Sequence, residues 1–257
     1  MLKEKIANRI KTIGTHLNLN DIAVGKLAAL AGYDFIWVDM EHSYLSFENL
    51  LHLIIAIHSV GGQVIVRAPQ DDLTATKKIL EMGPDGIIFP MIKTAEEANR
   101  LISYTLYPPH GIRGFGPMNA VNYGYDNVAD YTASHHKTMC RFIQIEHIEA
   151  SQNLKEIIKN DAIDGYIIGA NDLSGSIGKL GDVFSEEVTQ LIQTTVEKLK
   201  SADKYTGIST GDFSGKTLRH WHSMGFDMIS AGADFDFLRE GFRNNFSTLQ
   251  KIHGNEK

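Results

Sequence analysis

Four short stretches of the chain set a polar, reactive group at the end of an apolar run. They are FIWVDMEH (Phe35 to His42), QVIVRAP (Gln63 to Pro69), RFIQIE (Arg141 to Glu146) and DGYIIGAND (Asp164 to Asp172). A buried strand that ends in His, Arg, Glu or Asp holds that group at the rim of a sheet. Four such strands from distant parts of one chain point to an active site assembled at one end of a barrel.

Glu146 and Asp172 form a pair of carboxylates at matching strand ends. Two carboxylates with room for water and substrate oxygens suit a hard cation, Mg²⁺ or Mn²⁺, with Co²⁺ also admissible. Taken singly, Glu146 could equally make a salt bridge with a lysine, and Asp172 could cap a helix. His42 is the candidate general base, because an imidazole near neutral pH can take a proton from carbon or hydroxyl. Arg67 closes an apolar run and needs an anionic partner, either a substrate oxo group or the neighbouring Asp39 or Glu41. Schiff-base chemistry would require a lysine at a strand end, and Lys93 is the one fair candidate. The chain has 11 histidines, so most of them are ordinary.

The elements that must position these groups follow from apolar patterning. Eight β-type runs are expected, at residues 12–16, 35–39, 63–67, 86–90, 141–145, 165–169, 205–209 and 227–231. They are continuous rather than alternating, as in strands buried on both faces. Helical stretches separate them. Ser46 to His58 repeats apolar residues at helical spacing, Asp71-Asp72 caps the next helix and Gly83 closes it, Thr94 with Glu97 forms a capping box, and Glu186 to Ala202 is a long amphipathic helix. The expectation is a single (β/α)8 TIM barrel domain spanning 1–257. A doubly wound open sheet is weaker, since no GxGxxG follows a strand. The segment from Ser103 to Met139 breaks the rhythm, and is expected to cover the substrate from the reactive rim. Arg113 among Gly111, Gly114 and Gly116 suits an anion-approaching backbone there.

Composition narrows the function class. The chain has 257 residues, 43% hydrophobic and 22% charged, enough for a large core. A net charge of −6 without a basic block argues against nucleic acid and membrane surfaces. One cysteine, Cys140, precludes an internal disulfide and a cysteine-based zinc site. With no apolar core of signal-peptide type, a cytoplasmic location is expected.

VDMEHS, VRAP, ILEMGPDGIIFPMIKTAEEA, YPPHGIRGFG, QIEHIEA and GANDLSGSIG occur in order along nearly the whole chain. Together they resemble the HpcH/HpaI aldolase family, which includes 4-hydroxy-2-oxoheptanedioate aldolase and 2-dehydro-3-deoxyglucarate aldolase. The resemblance implies a class II, metal-dependent pyruvate aldolase on a (β/α)8 barrel, assembled as a homohexamer from dimers that exchange the last helix. It implies that His42 is the base, that Arg67 stabilises the transition state, and that Glu146 and Asp172 hold the metal. It also implies that Gln144 contacts substrate and that the backbone N–H of Asn171 holds the pyruvate carboxylate. Glu81 matches the position of an Asp that raises the basicity of the histidine, and is one methylene longer. GAND replaces the family's usual GPAD. The reaction expected is cleavage of a 4-hydroxy-2-oxo acid to pyruvate and an aldehyde. Two alternatives stand beside it: an acyl-CoA thioester lyase of the citrate-lyase β-subunit type, and a non-catalytic 2-oxo acid binder.

Overall fold

The computed structural model describes residues 1–254. Its eight strands are β1 (Thr12–Leu17), β2 (Phe35–Asp39), β3 (Val64–Arg67), β4 (Gly86–Phe89), β5 (Cys140–Ile145), β6 (Gly165–Gly169), β7 (Thr206–Thr210) and β8 (Met228–Ala233). Each pairs in parallel with the next, and β8 returns to β1, closing a barrel in sequence order. The sequence expectation of a (β/α)8 barrel holds, with strand limits within two residues of those expected.

The helices are α1 (Leu2–Ala7), α2 (Ile22–Leu30), α3 (Phe47–His58), α4 (Leu73–Glu81), α5 (Ala95–Ser103), α6 (Val128–Thr138), α7 (Ile148–Gln152), α8 (Leu154–Ile157), α9 (Ala170–Gly175), α10 (Glu186–Ser201), α11 (Gly215–Ser223) and α12 (Asp234–His253). Their starts are set by side-chain caps, of which those at Asp72 and Thr94 were expected. Ser46 accepts from Asn49 N–H, Asp72 from Thr74 and Ala75 N–H, and Thr94 and Glu97 cap each other reciprocally. Gly83 follows α4 at φ +80°, a left-handed position that glycine adopts without strain.

Two cores result from the period-2 alternation of the strands. Outward residues such as Ile36, Val38, Val66 and Ile143 pack on the helices. Inward residues Phe35, Trp37, Ile65, Ile88, Phe142 and Ile167 fill the barrel, closed below by Leu2 and Ile6 of α1. The same inward phase brings Asp39, Arg67, Gln144 and Glu146 to the C-terminal rim.

The segment from Ser103 to Met139 is not where the sequence suggested. Helix α5 has already carried the chain back to the N-terminal rim before the segment begins. It packs there, against the end of α4: Asn119 Nδ2 donates to Met82 O at 2.7 Å and Arg113 Nη2 to Glu81 Oε1 at 3.2 Å. It cannot cover the reactive rim of its own barrel. Most of the segment is exposed, with Tyr125 93% accessible, while the side chain of Arg113 is fully buried. No helix among the described residues is long and apolar enough to cross a membrane.

Candidate active site

The parallel register pairs Asp39 with Arg67 at the ends of β2 and β3. Arg67 Nε donates to Asp39 Oδ1 at 2.9 Å and Nη2 to Oδ2 at 2.5 Å, a bidentate pair. Its Nη1 reaches Glu41 Oε2 at 3.0 Å and Gln144 Oε1 at 3.4 Å. The guanidinium carbon lies 5.5 Å from the Trp37 ring centroid, so the barrel core supports it from below. The two residues offered as structural partners of Arg67 do bind it. Asp39 takes Nε and Nη2, and Nη1 lies between Glu41 and Gln144 at the rim.

Asp39 is buried, and burial alone would raise its pKa; the Arg67 guanidinium overrides this and holds it below the usual carboxylate range. Glu41 moves the other way. Burial raises its pKa, with Asp39 and Asp172 adding like charge, and Arg67 and His42 only partly offset this.

Glu146 is 3% exposed. It accepts from Met91 N–H at 3.0 Å and from Gln144 Nε2 at 2.8 Å. Met91 sits at φ +57°, a strained position for a side-chain-bearing residue, in the turn after β4 that aims its N–H inward. Gly169 at the end of β6 makes room for Glu146: a Cβ there would lie 2.2 Å from Glu146 Oε1. Burial pushes the Glu146 carboxyl up to about 7, and the charges of Asp172 and Glu41 add to the effect. No lysine or arginine nitrogen lies within 4.0 Å of it among the described residues. Asp172 is exposed, in the first turn of α9 directly beyond Gly169.

A buried carboxylate that repels a neighbouring carboxylate and lacks a paired cation is what an oxygen-ligated divalent metal requires. Among the described residues no three His, Cys, Asp or Glu side chains converge as a closed cage. Glu146 and Asp172 are the two carboxylates that this rim offers, a donor pair that fits a hard divalent cation.

His42 stands on the loop after β2 with its side chain 65% exposed, and its Nε2 is 3.7 Å from Glu41 Oε2. The backbone N–H of His42 and that of Glu41 point at Asp39 Oδ1, at 3.4 and 3.0 Å, so the Arg67 clamp also fixes the loop that carries the histidine.

Glu81 is not brought to His42 within the subunit. It ends α4 at the opposite rim and is engaged by Arg113, within a cluster containing Tyr131 and His135. Within the chain it does not touch His42, because a helix that starts beside the C-terminal rim ends beside the other. The acidic neighbour of His42 is Glu41. Asp39 and Glu41 entered the sequence reading only as alternative partners of Arg67. Counting by two from Phe35 and Trp37 would have placed Asp39 inward.

Lys93, the Schiff-base candidate, lies 4.0 Å from Glu149 on the surface. His16, at the rim end of β1, donates or accepts at Gly232 O (2.9 Å) and Ser209 Oγ (3.0 Å), and burial pushes its pKa down to about 4.

The chain as a whole has counterparts among known proteins. The HpcH/HpaI aldolase/citrate lyase family model matches residues 12–239. A hydroxypyruvate/pyruvate aldolase of Pseudomonas aeruginosa is 31% identical over 242 residues, covering 94% of this chain and 89% of that protein. A 2-keto-3-deoxy-L-rhamnonate aldolase of Escherichia coli K12 is 31% identical over 205 residues, covering 80% of this chain and 77% of that protein. The crystal structure of a family protein from Burkholderia cenocepacia J2315 superimposes with a TM-score of 0.91 at 25% identity, covering 97% of this chain and 98% of that one. The chain belongs to the HpcH/HpaI aldolase/citrate lyase family of carbon–carbon lyases.

Proposed function

We propose that the protein is a class II aldolase that cleaves a 4-hydroxy-2-oxo acid to pyruvate and an aldehyde. The observation that carries the reading is Glu146: a buried carboxylate pushed up to about 7, beside Asp172, with no paired cationic side chain. Glu146 and Asp172 would hold the metal, Mg²⁺ or Mn²⁺, with Co²⁺ also accepted by such donors. When bound, the ion supplies Lewis-acid polarisation of the 2-oxo group.

The chain's own residues do the rest. His42, or a water it holds, takes the proton of the 4-hydroxyl. The C3–C4 bond breaks, the aldehyde leaves, and the bonding pair is left on C3 as an enolate. Arg67, held by Asp39, presents Nη1–H to the negative charge that grows on the 2-oxo oxygen. Gln144 bridges Arg67 and Glu146, and fixes their separation. The backbone N–H of Asn171, in the first turn of α9, is free to receive the substrate carboxylate. Return of the proton to C3 yields pyruvate. Both aldolase relatives are named for 2-oxo acid chemistry, which supports this choice of substrate class.

The test is pyruvate release from a panel of 4-hydroxy-2-oxo acids, coupled to lactate dehydrogenase. Activity restored to EDTA-treated protein by Mg²⁺ or Mn²⁺ is the expected result. Undiminished activity in EDTA overturns the metal assignment, and silence across the panel with metal bound overturns the reaction.

The proposal extends to assembly as a homohexamer, a trimer of dimers. Helix α12 exposes Phe235, Leu238, Phe242, Phe246, Leu249 and Ile252 at spacings of three or four residues. Beside its start, α2 exposes Leu27 and Leu30, and Leu27 lines an apolar cavity of about 260 Å³. A swapped α12 from a second copy would cover both surfaces.

A further inference from the structure

Arg141 opens β5 on the outward face, at the N-terminal rim and five residues below Glu146. It is 1% exposed. Its Nε donates to Thr105 Oγ1 at 2.7 Å, and its Nη1 to the carbonyl of His136, in the last turn of α6, at 3.0 Å. Its Nη2 is buried and has no partner. Among the described residues no Asp or Glu side chain comes within 4.0 Å of the guanidinium, unlike Arg67 and Arg113, which are both paired. A guanidinium cannot shed its charge at ordinary pH, so burying it unpaired is unfavourable.

A cavity of about 320 Å³ opens beside it, lined also by Lys3, His110, His136, Asp161 and Asp164. The two imidazoles have ring centroids 6.4 Å apart. The two carboxylates are already engaged. Asp164 takes Lys3 Nζ at 2.5 Å and the Arg141 backbone N–H at 2.7 Å, and Asp161, fully in solvent, has Lys204 at 3.6 Å. Lys3 thus offsets Asp164, and Lys204 offsets Asp161. The charge of Arg141 is left over. The C-terminal carbonyls of α6 answer Nη1 but not the Nη2 edge.

We propose that this cavity binds a small oxoanion, a phosphate or carboxylate group, drawn by the unpaired charge of Arg141 and contacted by His110, His136 and Lys3. The site lies at the opposite end of the barrel from Glu146 and Asp172, so it is distinct from the reacting centre. An occupant that prefers the folded state stabilises it in proportion to its concentration.

The experiment titrates the full chain with inorganic phosphate and, separately, with acetate, against sodium chloride at matched ionic strength. The thermal midpoint and the ¹⁵N guanidinium resonance of Arg141 are followed together. A saturable rise in the midpoint beyond chloride, with movement of the Arg141 resonance, is expected for at least one of the two anions, and which one responds identifies the ligand class. Arg141→Met should abolish the response, His110→Ala should weaken the apparent affinity several-fold, and Glu146→Gln should leave it unchanged. No saturable response to either anion overturns the proposal. So does a response that persists in folded Arg141→Met. Should that variant not fold, a wild-type response in His110→Ala without movement of the Arg141 resonance overturns it equally.

Discussion

Asp39 and Arg67 face each other across the β2–β3 register, and both carboxylate oxygens of Asp39 are taken by the guanidinium, at 2.9 and 2.5 Å. The same Oδ1 also receives the N–H of Glu41, so a single carboxylate sets both the arginine and the loop that carries His42. Asp39→Asn keeps the size and loses the charge and one acceptor. It is expected to lower kcat/KM by about 10²-fold or more, the scale of losing one oriented transition-state donor. Arg67→Lys should lose most turnover while still binding metal, because an ammonium cannot reproduce the planar fork. Steady-state kinetics beside Mn²⁺ calorimetry reads both. Wild-type turnover in Arg67→Lys would remove the arginine from the mechanism.

Glu146→Gln should weaken Mn²⁺ binding by at least about tenfold, the usual scale for losing support at a metal site. It should not destabilise the apo fold, since it removes a buried, unpaired charge. Calorimetry and urea unfolding separate the two effects. Unchanged Mn²⁺ affinity would refute the ligand assignment.

Glu81 and Arg113 give a contrasting prediction. Removing the carboxylate leaves a fully buried guanidinium without its ion pair. Glu81→Ala should therefore cost about 3 kcal/mol or more of stability. The pH–rate profile should keep its shape, because Glu81 lies at the other rim from His42. A displaced acidic limb at intact stability would restore the histidine-tuning role that the family resemblance implies.

Acid should destabilise the fold through two histidines. Burial lowers His16 from 6.5 to about 4 and, with the nearby Arg113 charge, lowers His135 to about 3. His135 Nε2 faces Arg113 Nη1 at 2.7 Å and must accept, which requires the neutral ring. The unfolded chain binds protons near pH 6.5, whereas the folded chain resists them until about pH 4 or below. Stability is thus complete above pH 6.5 and falls as pH drops from there toward 4. Urea midpoints measured at several pH values should show this slope, and His135→Gln should flatten it.

The assembly prediction rests on α12. Phe242→Glu with Phe246→Glu should reduce the particle mass measured by light scattering, since both side chains are exposed in the isolated subunit. A mass unchanged from a multimeric wild type would exclude this helix from the interface.

The sequence by itself determined the barrel and most of its rim. Continuous β-branched runs fix strands buried on both faces, and a run ending in Arg67, Glu146 or Asp39 must deliver that side chain to the C-terminal edge whatever the loops do. The caps at Asp72 and Thr94 were legible for the same local reason. Only the tertiary structure decided which polar groups meet. Spacing along the chain could not show that Arg67 spends two donors on Asp39, that Gly169 vacates space for Glu146, or that Met91 turns its N–H inward, because each depends on register between strands far apart in sequence. The Ser103–Met139 segment and Glu81 lie away from the reactive rim of their own barrel for one shared reason. Each sits at the far end of a helix that crosses the full height of the barrel, so closeness in sequence to the reactive strands becomes distance in space.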